Sequence, residues 1–96
     1  MRLSQQDVQI IKESLLKYIS DAKITLFGSR VYDDKKGGDI DLFVETSKIV
    51  TFREKLEILT DMELAGIERK VDLIIKMPNS KELSIFKTIQ DEGILL

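Results

Sequence analysis

The chain has 96 residues, of which 43% are hydrophobic and 33% charged, with a formal net charge of −2. These figures describe one folded domain spanning residues 1–96, and they exclude a disordered chain and a generally basic nucleic-acid binder. With no cysteine and no histidine, disulfides, thiolate zinc sites, cysteine nucleophiles and imidazole bases are excluded as well.

No apolar run approaches a membrane span and "MRLSQQDV" lacks a signal-peptide core, so the expected location is the cytoplasm, away from membranes. Any chemistry must run on carboxylates, hydroxyls, lysine or arginine, and ligation by oxygen alone suits magnesium or manganese.

Ser4 can cap a helix, with Asp7 three residues on, and Val8, Ile11, Leu15, Leu16 and Ile19 recur at helical spacing. This predicts a helix from about Ser4 to Ile19. Ala22 to Phe27 is β-rich and predicts a first strand ending at Gly28, and Ser29 to Asp33 suits a short helix. Asp33 to Gly38, "DDKKGG", reads as a loop.

Asp39 to Glu45 reads as a second strand with Asp39, Asp41 and Phe43 on one face and Ile40, Leu42 and Val44 on the other. A helix follows from about Thr51 to Ala65, with Phe52, Leu56, Leu59 and Met62 as its apolar stripe and Gly66 at its end. Lys70 to Lys76 reads as a third strand, central and well buried apart from Asp72. After Met77-Pro78, Asn79 or Ser80 is expected to cap a last helix through Glu92, with Leu83, Phe86 and Ile89 inward and "ILL" packed back on the body. The order implies an α/β or α+β fold, a small mixed sheet of about three strands flanked by helices.

Three acids stand out by position. Asp39 and Asp41 share a strand face, and Asp72 interrupts an apolar strand, where an ionised carboxylate is costly unless paired or ligating. If the second and third strands are neighbours, all three converge on one face, and a divalent cation or two would relieve their repulsion. Two such ions bridged by a shared carboxylate suit in-line phosphoryl transfer. Gly28-Ser29 fits the other half of such a site: glycine permits close backbone approach to a phosphate, the hydroxyl donates, and Arg30 adds a cation.

Each feature alone has a plainer reading. A strand-Gly-Ser-helix is mostly a turn, a D-x-D at a strand start is more often capped or solvated, and Asp72 has Arg69, Lys70 and Lys76 as possible partners. Their occurrence together, in strand-loop-strand order, carries the argument.

Leu26-Phe27-Gly28-Ser29-Arg30, Asp39-Ile40-Asp41-Leu42 and Val71-Asp72-Leu73 together resemble the DNA polymerase β-like nucleotidyltransferase superfamily, specifically its minimal nucleotidyltransferase branch. The resemblance implies that Asp39, Asp41 and Asp72 are the catalytic and metal-binding residues, holding two magnesium ions (or manganese). Gly28, Ser29 and Arg30 would bind the nucleotide. It implies attack of an acceptor hydroxyl on the α-phosphorus of ATP, with AMP transferred and pyrophosphate released.

Stand-alone proteins of this branch often pair with a HEPN-domain toxin as its antitoxin, and some transfer AMP to a tyrosine of that toxin. That role, in a hetero-oligomer without direct nucleic-acid binding, is the leading expectation. An antitoxin that neutralises by complex formation alone, through an apolar patch such as Ile94-Leu95-Leu96 or Ile49-Val50, is the second. A small-molecule adenylyltransferase is the third.

Overall fold

The computed structural model describes residues 3–28 and 39–96. Helix α1 (Gln5–Tyr18) starts where the sequence places it: Ser4 is extended and its hydroxyl accepts from the Asp7 backbone N–H at 3.0 Å. Strand β1 (Lys23–Phe27) leads to strand β2 (Ile40–Glu45), and the two pair antiparallel with Phe27 opposite Asp41. The short helix and loop expected over residues 29–38, with Ser29 and Arg30, lie outside the described residues.

Helix α2 (Phe52–Ala65) opens with a complete capping box. The Thr51 hydroxyl accepts from the Glu54 N–H, and the Glu54 carboxylate accepts from the Thr51 N–H. Gly66 ends the helix as expected. Strand β3 (Val71–Lys76) then pairs parallel to β2 with Asp41 opposite Asp72. Helix α3 (Ser84–Glu92) and a two-residue strand β4 (Ile94–Leu95) complete the chain.

The sheet order is β3-β2-β1-β4, with β4 antiparallel to β1. The sheet is mixed, as expected, but among the described residues it has four strands instead of about three. "ILL" pairs with β1 through Leu26↔Ile94, and the Leu96 N–H donates to the Ile24 carbonyl. Two residues carry too little periodicity to be read as a strand.

Opposite partners in a ladder share a face, so the register assigns every side chain. On one face Ile24, Leu26, Ile40, Leu42, Val44 and Leu73 meet Ile11, Leu15, Ile58 and Met62 of α1 and α2, forming the main core. On the other, Phe43 is fully buried against Phe86 and Ile89 of α3 with Phe27 beside them, and the Phe43 and Phe86 rings lie 5.2 Å apart. Among the described residues, two helices therefore cover one face and the nine-residue α3 covers the other.

Four expectations need correction. Strand β3 is an edge strand and not a central one: among the described residues it is bonded to β2 alone, and Ile74, inside its apolar run, is 36% exposed. Its inward residue Leu73 alternates with outward Asp72 and Ile74, which a short apolar run disguises.

The α2 stripe is rotated. Ile58 and Met62 are buried, whereas Phe52 and Leu56 are exposed, because apolar residues occupy more than one side of this helix and packing on α1 and the sheet selects the Ile58–Met62 side. The last helix starts at Ser84 and leaves Leu83 exposed; Ser80 instead closes a turn around Pro78, its hydroxyl accepting from the Met77 N–H at 3.0 Å. Val50, expected in an exposed patch, is buried.

At the end of the sheet away from Asp41 and Asp72, Asp21 ties the α1–β1 turn to the segment after β2. Its carboxylate accepts from the Thr46 hydroxyl and from both the hydroxyl and the N–H of Ser47. These bonds stabilise the charged form and lower its pKa from 3.8 to about 2. Gln90 of α3 donates to Glu45 at 2.8 Å, fixing the helix over β2.

Candidate active site

The acids occupy one end of the sheet because of strand register. Asp41 is the second residue of β2 and Asp72 the second of β3, and the parallel pairing sets them opposite one another on the face that, among the described residues, carries α3 alone. Ile40 and Leu42, flanking Asp41, point into the main core at 0% exposure and hold the strand in that orientation. Asp39, one residue before β2, falls on the Asp41 side by alternation and is half-buried.

Gly28 meets Asp41 from the other side. It follows Phe27, the ladder partner of Asp41, and has a φ of +75° that side-chain-bearing residues rarely adopt. A Cβ placed on Gly28 would fall well inside 3.0 Å of Asp41 Oδ2. The missing side chain is therefore the space in which the Asp41 carboxylate sits. The sequence signals glycine as a place for phosphate to approach; its second role, making room for an acid, follows only from the antiparallel register.

Asp72 is near the surface, its side chain 45% exposed, with Lys70 Nζ 3.6 Å from its Oδ1. Lys70 is thus the partner among the three cations the sequence offered. An exposed pair at this distance is weak and easily exchanged, so Asp72 stays accessible at the rim. Beyond Lys70, a cleft of about 670 Å³ runs along the end of α2 and the start of β3, with Glu63, Arg69 and Lys70 on its walls.

The structure thus brings Gly28, Asp41 and Asp72 into one row across three strands, with Asp39 just before it. Among the described residues no three carboxylates are gathered tightly enough to hold a metal ion by themselves. The donors present are carboxylate oxygens in a chain without histidine or cysteine, the chemistry of a hard dication. In the chemistry of their donors these residues fit such an ion.

One further concavity adjoins the row and was not foreseen. Phe27 and Gly28 form one wall of a pocket of about 200 Å³, and Ile85, Thr88, Ile89 and Glu92 of α3 form the other. The sequence shows these α3 residues as a helical face, with no sign that they stand beside Gly28.

A mixed sheet with helices on both faces, and two in-register acids beside a glycine turn at one strand end, defines a nucleotidyltransferase-like domain. The profile of the family described as "Polymerase beta, Nucleotidyltransferase" matches residues 9–96, and the chain belongs to that family. Members typically work with nucleoside triphosphates and divalent metals, and the domain is one for transferring a nucleotidyl group. No curated protein matches the chain significantly. No helix among the described residues is long and apolar enough to cross a membrane.

Proposed function

We propose that this protein transfers AMP from ATP to a hydroxyl group, with a tyrosine of a partner HEPN-domain toxin as acceptor, and thereby acts as its antitoxin in the cytoplasm. The observation that carries the chemical half of this reading is the row Gly28–Asp41–Asp72. The partner and the acceptor rest on the likeness of the three sequence motifs to the minimal nucleotidyltransferase branch.

In this reading Asp39, Asp41 and Asp72 hold two magnesium ions, Asp41 lying between the other contributors. Bound there, the ions would screen the charge of the triphosphate and lower the pKa of the acceptor hydroxyl. Gly28 and Ser29 grip the triphosphate by backbone N–H and hydroxyl, and Arg30 adds charge.

The acceptor oxygen forms its bond to the α-phosphorus as the bond to the bridging oxygen breaks, and pyrophosphate leaves. The acceptor proton passes to Asp72, through the carboxylate oxygen other than the Oδ1 that faces Lys70. The exposed position of Asp72 on the edge strand supports entry of the acceptor from the β3 side, across the row from Gly28.

The test is co-expression with the product of the adjacent open reading frame and intact-mass measurement of that product. One added AMP, absent with Asp41→Asn, supports the reading; equal modification by that variant refutes it.

A second reading has a specific observation behind it. Ile49, Phe52 and Leu56 are 52%, 72% and 48% exposed, an apolar strip entering and following the first turns of α2. Such a strip suits a contact surface, consistent with neutralisation by complex formation alone. An Asp39→Asn/Asp41→Asn double variant that still protects cells would favour it. Loss of protection with the complex intact would exclude it.

A further inference from the structure

Strand β3 leaves a long edge of the sheet open. Ile40 donates its N–H to the Lys70 carbonyl and Thr46 donates to the Lys76 carbonyl, so the even-numbered residues of β3 bond to β2. Alternation then turns the N–H and C=O groups of Val71, Leu73 and Ile75 outward. Among the described residues no hydrogen bond reaches these groups. The opposite edge is β4, only two residues long. Unpaired strand groups are a template for another strand unless the side chains beside them oppose it.

The side chains of β3 oppose some pairings and favour one. Asp72, Ile74 and Lys76 lie on the face of Asp41 and Phe43, with Ile74 36% exposed. A second copy can add to this edge antiparallel about a two-fold axis, and the same patch then meets itself. Centred on Asp72, the pairing sets carboxylate against carboxylate. Centred on Leu73, it covers residues 71–75 but leaves Asp72 opposite Ile74 and brings Lys70 against Lys76 of the second copy.

Centred on Ile74, it covers residues 72–76 and sets Asp72 opposite Lys76 on each side of the axis. Ile74 then meets its own copy, while Leu73 meets Ile75 on the other face. The backbone groups of Ile74 point to β2, so this central pair is the closer-spaced, non-hydrogen-bonded kind. Opposite charges and apolar pairs directly across a ladder stabilise it, and like charges there destabilise it.

Both charges are able to take part. Lys70 lies 3.6 Å from Asp72 Oδ1, and Glu82 lies 3.3 Å from the Lys76 ammonium, which has three donors. Asp72 is 45% exposed and Glu82 76%, so both existing ion pairs are weak and leave room for another.

We propose that β3 pairs antiparallel with β3 of a second copy of this chain, centred on Ile74, joining two sheets into one across a two-fold axis. The pairing itself is independent of the AMP-transfer reading. Its consequence rests on that reading: Lys76 of the second copy stands at Asp72, so the second copy and the acceptor compete for one edge. The pair is then a closed form of the site, which the acceptor must displace.

The experiment is sedimentation velocity of the full-length protein over a concentration series, without nucleotide or other protein, paired with amide hydrogen exchange read by NMR. The mass is expected to rise from monomer towards dimer, and the Leu73 and Ile75 amides to exchange more slowly as it does. Asp72→Lys and Lys76→Glu each set like charges opposite at both symmetric positions. Each should weaken association about tenfold or more, and the double variant Asp72→Lys/Lys76→Glu should restore it.

A parent that stays monomeric throughout overturns the proposal and leaves the edge to a strand of another protein. A dimer whose Leu73 and Ile75 amides exchange as in the monomer overturns it too, as does a double variant no tighter than the single ones. Failure here leaves AMP transfer standing, and failure of AMP transfer leaves the pairing standing.

Discussion

Gly28 and Asp41 share one space: the side chain that Gly28 lacks would occupy the position of Asp41 Oδ2. The relationship arises because β1 and β2 are antiparallel with Phe27 opposite Asp41, so the residue after the strand turns over the acid. Gly28→Ala should therefore hurt twice. Alanine at a φ of +75° costs about 1–2 kcal/mol of folding stability, and its methyl displaces the carboxylate. Denaturant melts should show the modest stability loss, and nucleotidyl transfer should fall by about a hundredfold or more. An alanine variant with full activity would separate Gly28 from the site.

Asp72→Asn should leave the fold intact, because Asp72 lies on an edge strand with its side chain 45% exposed and its partner Lys70 is more exposed still. In the proposed mechanism the same change removes the proton acceptor, lowering turnover by about two to three orders of magnitude. Thermal melts and single-turnover assays on the same preparation check both halves. A large drop in melting temperature would recast Asp72 as structural.

The hydrogen bonds that Ser47 and Thr46 donate hold the Asp21 pKa at about 2, below its ordinary 3.8. Because the folded pKa is depressed, the stabilisation is fully present above about pH 4 and is lost as pH falls towards 2. Asp21→Asn should flatten the stability profile across that window, as read by urea melts at stepped pH. A profile unchanged by the substitution would assign the acid sensitivity elsewhere.

The Thr51–Glu54 capping box satisfies N–H groups at both ends of the first turn of α2. Thr51→Ala should cost about 1 kcal/mol. Glu54→Gln should cost less, since an amide oxygen still reaches the Thr51 N–H, though the ion pair to Lys48 at 2.9 Å is lost. Chemical denaturation of both variants tests the ranking, and the reverse order would make the ion pair dominant.

Much of this architecture is legible in the sequence, and the exceptions share one cause. Caps and local periodicity locate α1, α2 and the three longer strands, since Ser4, Thr51 and Gly66 act within a few residues of themselves. What depends on distant partners is not local information. Ile94 and Leu95 become a strand only because β1 offers an edge, and Phe52 is exposed only because α1 and the sheet select the Ile58–Met62 side.

The candidate site divides in the same way. Its acids and glycine are visible as motifs, and alternation puts Asp39 and Asp41 together. Their alignment with Asp72 needs the parallel register, and the pocket beside Gly28 needs α3 laid over Phe43.

The most direct measurement of the central claim is the intact mass of the partner protein after incubation with this chain, ATP and magnesium. The account predicts a gain of one AMP with the parent and none with Asp41→Asn, although both bind the partner equally. A partner of unchanged mass in the presence of the parent, or one modified equally well by Asp41→Asn, would contradict it.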